Sequence, residues 1–373
     1  MSEEKLVPKL RFSGFDDEWN EDYLNKLFDN RNERNFENLE VLSVTINDGV
    51  LKRSDLGSDR KNKDKKSMKH VLKGDLVYNP MFMWKGASGI SSYEGITSAD
   101  YIVLKSKNNV NPIFFSHLFQ TEKSLNKFKN YSQGSLLERL RLMYPQFSDI
   151  KMAFPSYEEQ EKIANLLTSV DNKIELIEKK YQTYLDFKKY LMQQIFTQKL
   201  RFNFTDDWNY MNFSEIFKSV STKKYQIKSA DILDKGDFEV IDQGQDEIAG
   251  YFNDKTKLCQ ELPIIIYGDH TTFVKFRDKP FIVGADGVKL LIPKFNANPK
   301  YLFYALEHFN IKPEGYKRHF SIIKKIKLPI PTLEEQNEIS EIFTYIDIKL
   351  KYTKIQLQET EEFKKGLLQQ MFV

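Results

Sequence analysis

Two stretches of the chain combine the side chains that could read a nucleic acid. One is Asn79-Pro80-Met81-Phe82-Met83-Trp84-Lys85-Gly86-Ala87-Ser88-Gly89, the other Gly268-Asp269-His270-Thr271-Thr272-Phe273-Val274-Lys275. Asn, Lys, His, Asp and Thr carry the donors and acceptors that tell base edges apart in a major groove. The candidate readers are therefore Asn79, Trp84, Lys85 and Ser88 in the first stretch, and Asp269, His270, Thr271 and Thr272 in the second. Candidate phosphate contacts are Arg53, Lys61, Lys63 and Lys85, together with Lys275, Arg277, Arg318 and His319. Trp84 and Phe273 taken singly fit a hydrophobic core better than a binding surface. Covalent chemistry has no comparable signal: the chain lacks G-x-x-x-x-G-K-[ST], G-x-G-x-x-G and G-x-S-x-G. One cysteine, Cys259, excludes an internal disulfide and reads as a small buried apolar side chain. Five scattered histidines without an i,i+4 pair argue against a metal site.

Charge points the same way once it is partitioned. The net +3 of the 373 residues hides +3 over residues 1–155 (24 basic, 21 acidic) and +3 over 200–330 (20 and 17). Residues 156–199 sum to zero and 331–373 to −3. The densest basic run, Lys52 to Lys73, holds nine basic and three acidic residues and reads as an exposed loop. Such a balance is compatible with phosphate binding, although a solvated surface loop explains that run equally well. No apolar run approaches the ~20 residues of a membrane helix, and MSEEKLVPKL has no apolar signal region, so a cytoplasmic protein is expected.

The elements that must position these stretches come from a repeat. Pro155-Ser156-Tyr157-Glu158-Glu159-Gln160 recurs 176 residues later as Pro331-Thr332-Leu333-Glu334-Glu335-Gln336. The match runs ungapped to Phe196 and Phe372, with 16 of 42 positions identical. Ser156 with Glu159, and Thr332 with Glu335, fit a capping box at a helix start. Beyond it, apolar residues recur every three or four positions. They are Ile163, Leu167, Val170, Ile174, Ile177, Tyr181, Tyr184, Leu191 and Ile195, with Lys188 interrupting. In the second copy they are Ile339, Phe343, Ile346, Leu350, Leu357, Leu367 and Met371, weakened by Thr353, Thr360 and Lys364. That period predicts two coiled-coil helices, each roughly 60 Å long at 1.5 Å per residue. Leu166, Leu176, Leu185 and Phe187 lie off the seam, as docking surface or as its flank.

A shorter match places Leu10-Arg11-Phe12 and Trp19 over Leu200-Arg201-Phe202 and Trp208. Phe196-Thr197-Gln198-Lys199-Leu200-Arg201-Phe202 then has its counterpart split between the two chain ends, so the C-terminus is expected beside the N-terminus. Strand-like runs (76–78, 101–104, 264–267, 288–292) and an Asn-Pro before a short helix (Asn111-Pro112, Asn298-Pro299) make both variable segments compact α+β domains. The expected architecture is α+β: two globular domains, 1–154 and 198–330, in a pseudo-twofold arrangement. Two long antiparallel coiled-coil helices, 155–197 and 331–373, separate and join them.

This order of variable domain and Pro-x-x-Glu-Glu-Gln helix, twice over, resembles the specificity subunit of type I restriction-modification enzymes. Pro155–Gln160, Pro331–Gln336, the Lys-Lys-x-Leu-x-Gln-Gln helix ends and the two Leu-Arg-Phe…Trp segments carry the resemblance. Lys73-Gly74-Asp75, Tyr267-Gly268-Asp269-His270-Thr271 and Gly284-Ala285-Asp286-Gly287 are similar to parts of its target-recognition domains. The resemblance implies a non-catalytic subunit whose two domains each read half of a split, asymmetric site in double-stranded DNA, with the helix pair setting the gap. It implies docking of two modification (methyltransferase) subunits and two restriction (translocase/nuclease) subunits. S-adenosylmethionine, ATP and Mg belong to those partners, and no cofactor, metal or membrane to this chain. Two rivals stay open. A stand-alone nucleic-acid-binding or scaffold protein would use the helices as a spacer. An adenine methyltransferase would use Asn79-Pro80-Met81-Phe82, which resembles the Asn-Pro-Pro-Phe/Tyr loop of amino-methyltransferases but lacks the glycine-rich cofactor motif that goes with it.

Overall fold

The computed structural model describes residues 5–46, 48–57, 65–315 and 317–373. Two helices run unbroken, Tyr157–Phe196 and Leu333–Gln370. The backbone divides into unit 1, residues 1–178 with 356–373, and unit 2, residues 179–355. Each unit therefore owns one half of each long helix.

Both units are built on the same antiparallel four-stranded sheet. In unit 1 its order is Phe28–Arg31, Ile102–Ser106, Leu76–Tyr78, Ser88–Ile90. In unit 2 it is Phe217–Val220, Val288–Pro293, Ile264–Gly268, Val274–Arg277. The strand that leads into each long helix pairs with the strand that opens its unit's fold. Asn20 faces Phe154 in the first pair and Asn209 faces Ile330 in the second. The units differ beyond this core. Unit 2 adds a second four-stranded sheet with parallel pairs, whereas unit 1 has two separate two-stranded pairs, Leu42–Val44 with Val50–Lys52 and Lys69–Val71 with Gly95–Thr97.

The repeated helix starts do more than cap. The hydroxyls of Ser156 and Thr332 accept from the amides of Glu159 (3.4 Å) and Glu335 (3.3 Å), half of the expected capping box. The two carboxylates, however, do not turn back to the cap. Glu159 takes Arg11 in a fork of two 2.8 Å bonds. Glu335 takes Arg201 at 3.1 and 2.8 Å and also the Trp208 indole at 3.0 Å. These buried carboxylates gain more from a bidentate guanidinium than from one amide, which corrects the capping-box expectation. The neighbouring glutamines tie the helix starts to the short helices Pro112–Leu118 and Pro299–His308. Gln160 accepts from Asn111 N at 2.9 Å while donating to Pro155 O, and Gln336 does the same with Asn298 and Pro331. The asparagine side chains cap those helices in turn.

The long helices pair within each unit. In unit 1, Ile163, Leu167 and Val170 share a core with Leu367 and Met371. In unit 2, Met192, Ile195 and Phe196 share one with Ile339, Phe343 and Ile346. The residues that broke the apolar period are accommodated. Lys188 is paired with Asp347 at 2.9 Å and Glu307 at 3.2 Å. Lys364, the same position in the repeat, is paired with Asp171 at 2.5 Å. Burial works against the Lys188 ammonium, but Glu307 and Asp347 outweigh it and its pKa is raised. Thr353 and Thr360 are buried, each hydroxyl donating to the carbonyl one turn back. With Lys188 facing Asp347 and Phe196 stacked on Phe343, the helices run antiparallel in unit 2.

Unit 1 also brings the chain ends together. Leu10 N donates to Gln370 O, as Leu200 N donates to Gln194 O in unit 2. Phe372 packs on Trp19 as Phe196 packs on Trp208, with centroids 6.2 and 6.4 Å apart. Cys259 is buried beside Ile241 and Phe281, as a small apolar side chain would be.

Candidate nucleic-acid interface

In each sheet an inner strand carries a buried tyrosine, Tyr78 at its last position or Tyr267 one before the end, and the chain then enters one of the two candidate loops. Neither tyrosine hydroxyl has a hydrogen-bond partner, and burial raises the pKa of both. Beyond that point the loops differ.

The unit 1 loop is closed by local bonds and braced by Gln120, whose Nε2 donates to Gly86 O (3.0 Å) and Ser88 Oγ (3.1 Å), and by the Leu142 amide on Pro80 O. Asn79 Oδ1 accepts from Met81 N at 3.1 Å, Trp84 Nε1 donates to Met81 O at 3.1 Å, and residues 83–85 form a 3₁₀ turn ended by Gly86 at φ 92°. Trp84 is half-buried, resting on the unit 1 core, and the Lys85 ammonium lies 4.9 Å from the Trp84 ring centre. Trp84 thus combines the core role with a partly exposed face, and Lys85 is exposed.

The unit 2 loop is held from outside. Gln243 Oε1 accepts from His270 N (3.1 Å), Gln243 Nε2 donates to Asp286 O (3.1 Å), and the Thr271 hydroxyl donates to Gln243 O. Asp269 O accepts from His319 N at 2.7 Å, and His319 Nδ1 lies 3.1 Å from the same oxygen. Glu314 N donates to His319 Nε2 at 3.0 Å, which leaves the ring proton on Nδ1. Asp269 Oδ1 accepts from Phe320 N, and Asn310 Nδ2 donates to Thr272 O at 2.6 Å. Thr272 sits at φ 62°, a left-handed backbone that β-branched residues rarely adopt. Phe273 is 41% exposed, so it is not the core aromatic it could have been.

The structure sorts the sequence-derived residues by burial. Lys85, Arg318, His270 and Thr271 keep exposed or half-exposed surface, and Arg53 is half-buried with Nε donating to Ser43 Oγ. Lys61 and Lys63 lie outside the described residues. Seven others are corrected from surface contacts to internal supports. Asn79, Ser88, Asp269, Thr272, Arg277 and His319 are buried, because the domain itself satisfies their polar groups or closes over them. Ser88 lines a cleft of about 910 Å³ in unit 1 whose other wall carries Asp171, Glu175, Glu178 and Glu361, a setting hostile to phosphate. Arg277 pairs with Glu239 and Glu247. Lys275 is the seventh: its ammonium donates to the carbonyls of Asp242 (3.0 Å) and Asp246 (2.5 Å), and burial lowers its pKa. In the basic run, Lys69 is likewise buried, donating to Tyr101 O at 2.7 Å, so that run is not wholly a loop.

Gln243 and Asn310 went unnoticed in the sequence. They lie about 27 and 38 residues from the loop atoms they hold, and only their side-chain amides mark them as possible clamps. Among the described residues no cluster could hold a metal ion, and no helix is long and apolar enough to cross a membrane.

Two copies of one scaffold, each presenting its own loop, define a class of sequence-selecting protein. The type I restriction modification DNA specificity domain matches residues 24–183 and again 205–362, and the chain belongs to that specificity-subunit family. It is 23% identical over 360 residues to the putative type I restriction enzyme MjaX specificity subunit of Methanocaldococcus jannaschii, covering 87% of this chain and 84% of that one. The MjaVIII specificity subunit of the same organism is 22% identical over 329 residues, covering 77% and 76%. Among solved structures, the S subunit of the M. genitalium type I system aligns with TM-score 0.69 at 16% identity, over 98% of this chain and 99% of that one. A chain from a structure of complex assembly and conformational transition of the type I R-M system aligns with TM-score 0.52 at 12% identity, over 96% and 98%. These likenesses are of fold.

Proposed function

We propose that this chain selects DNA for partner enzymes and does no chemistry itself. Each unit reads one short half of a split, asymmetric duplex site. The observation that carries this reading is the pairing of a repeated scaffold with unlike loops at the same strand end, after Tyr78 in unit 1 and after Tyr267 in unit 2. Exposed Lys85 and Arg318 are the phosphate contacts that set register, and His270 and Thr271 offer the polar groups for base edges. Asymmetry of the site follows from divergence of the loops.

Two modification subunits dock on the long helices. In unit 2, Tyr184, Phe187, Leu191, Ile342, Tyr345 and Ile346 line an apolar groove of about 370 Å³, with Tyr345 60% exposed. Leu176 and Phe363 expose apolar surface on the unit 1 halves of the helices. S-adenosylmethionine is bound by those partners, and ATP and Mg by two restriction subunits that complete the enzyme in the cytoplasm.

The test is to co-express the chain with a candidate modification subunit and sequence the methylated host DNA. Adenine methylation confined to one split, asymmetric motif is the expected result. A stable complex that methylates no defined motif would contradict the reading.

A further inference from the structure

We propose that Gln243 and His319 are positioning residues for half-site recognition by unit 2. They fix the Gly268–Phe273 loop in the one conformation that sets His270 against the Lys317 backbone, next to exposed Arg318. This rests on the reading that the loop meets DNA.

Three observations converge. Thr272 holds a left-handed backbone at φ 62°, and such a residue persists only where its surroundings over-determine it. The surroundings do so through chain segments remote in sequence. Gln243 alone engages His270, Thr271 and Asp286, using its amide oxygen, its carbonyl and its amide nitrogen. His319 is completely buried, so it cannot touch a ligand, yet both its ring nitrogens are committed, one to Asp269 O and one to Glu314 N. It therefore joins the loop to the 310–319 segment that carries Arg318, and His270 Nδ1 lies 3.2 Å from Lys317 O across the same seam. The unit 1 loop has a remote glutamine of its own, Gln120, whose amide nitrogen donates to Gly86 O at 3.0 Å and to Ser88 Oγ at 3.1 Å.

Base readout by hydrogen bonds depends on donors held in place, whereas attraction to phosphates does not. Loosening the clamp should therefore lower discrimination while leaving the salt dependence of binding unchanged. The experiment uses the full chain in complex with its modification subunit. Once the wild-type motif is mapped by methylation, duplexes carrying single base-pair changes in either half are titrated against Gln243→Ala and His319→Phe. The phenylalanine keeps the ring and removes both hydrogen bonds. In both variants discrimination should fall about tenfold at positions in one half of the site only. The other half and the salt slope should stay as in the wild type. Gln243 is half-exposed, so its variant should fold even if His319→Phe does not. Unchanged discrimination in folded Gln243→Ala, or an equal loss in both halves, would overturn the inference. A wild-type complex that methylates no split motif would instead remove the functional reading beneath it.

Discussion

Unit 1 and unit 2 share their anchors and differ in what the anchors carry. Arg11–Glu159 and Arg201–Glu335, Gln160–Asn111 and Gln336–Asn298, Lys364–Asp171 and Lys188–Asp347 are the same three contacts made twice. The loops beyond Tyr78 and Tyr267 differ in sequence, and although each has a remote glutamine against it, the other residues that support them differ. One is closed by Asn79 and Trp84 and braced by Gln120 and the Leu142 amide; the other is held by Gln243, Asn310 and His319. The repeated motif therefore specifies a mount. What is mounted can change without disturbing it, because none of the anchor contacts involves a loop residue.

The two units should differ most in energy at the buried carboxylates. Glu335→Ala removes the Trp208 indole's acceptor and both carboxylate bonds of Arg201, which keeps Asp206 O, and should cost about 3 kcal/mol. Glu159→Ala should cost less, by about 1 kcal/mol, because the Trp19 indole makes no bond that the substitution removes. Denaturant unfolding of the two full-length variants checks the order, and equal losses would mean that the two anchors are energetically alike.

A second difference is titratable. His117 occupies in unit 1 the place that Tyr304 holds in unit 2, beside the aspartate of each ion pair. Burial is the main cause that pushes the His117 pKa down, to about 4, with Lys364 adding to it and Asp171 opposing. The unfolded chain then binds a proton at a higher pH than the folded one. Stability from this group is full above the ordinary histidine range near pH 6.5 and is lost as pH falls toward 4, by about 3 kcal/mol. Melting curves between pH 7.5 and 4.5 should show this loss, and His117→Phe should reduce it. An unchanged pH profile in that variant would exclude His117 as the source.

The helix caps offer a smaller contrast. Asn111→Ala should cost about 1 kcal/mol as an ordinary cap. Asn298→Ala should cost somewhat more, since its amide nitrogen also donates to Asn337 and Ser340. Smallest of all, Lys85→Ala and Arg318→Ala should each weaken binding to every duplex alike and lower the salt slope by about 1, measured by titration at several salt concentrations. A change confined to one sequence would make either residue a base reader.

Much of the scaffold was legible in the sequence because its contacts are local or repeated. The ungapped 176-residue offset marked both long helices, and Asn-Pro marked both short ones. Lys188, Thr353, Thr360 and Lys364 looked like flaws in an apolar period because their partners, Asp347, Asp171 and carbonyls one turn back, are visible only in three dimensions. The loops were located but their residues misjudged. A polar side chain in a glycine-flanked loop looks exposed in one dimension, yet Asp269 and His319, fifty residues apart, bury each other. Gln243 carried no pattern at all, since a clamp acts through one side chain and needs no periodicity.

If each unit reads its own half-site from a common mount, replacing one unit's reading domain by the other's should repeat one half of the motif. The most direct test replaces residues 209–330 by residues 20–154, joining at the paired strand ends where Asn209 faces Ile330 and Asn20 faces Phe154. The methylation pattern is then sequenced after co-expression with the modification subunit. The expected product is a split motif whose two halves are the same sequence, identical to one half of the wild-type motif. Retention of the wild-type asymmetric motif, or a folded complex reading a sequence unrelated to either half, would contradict it.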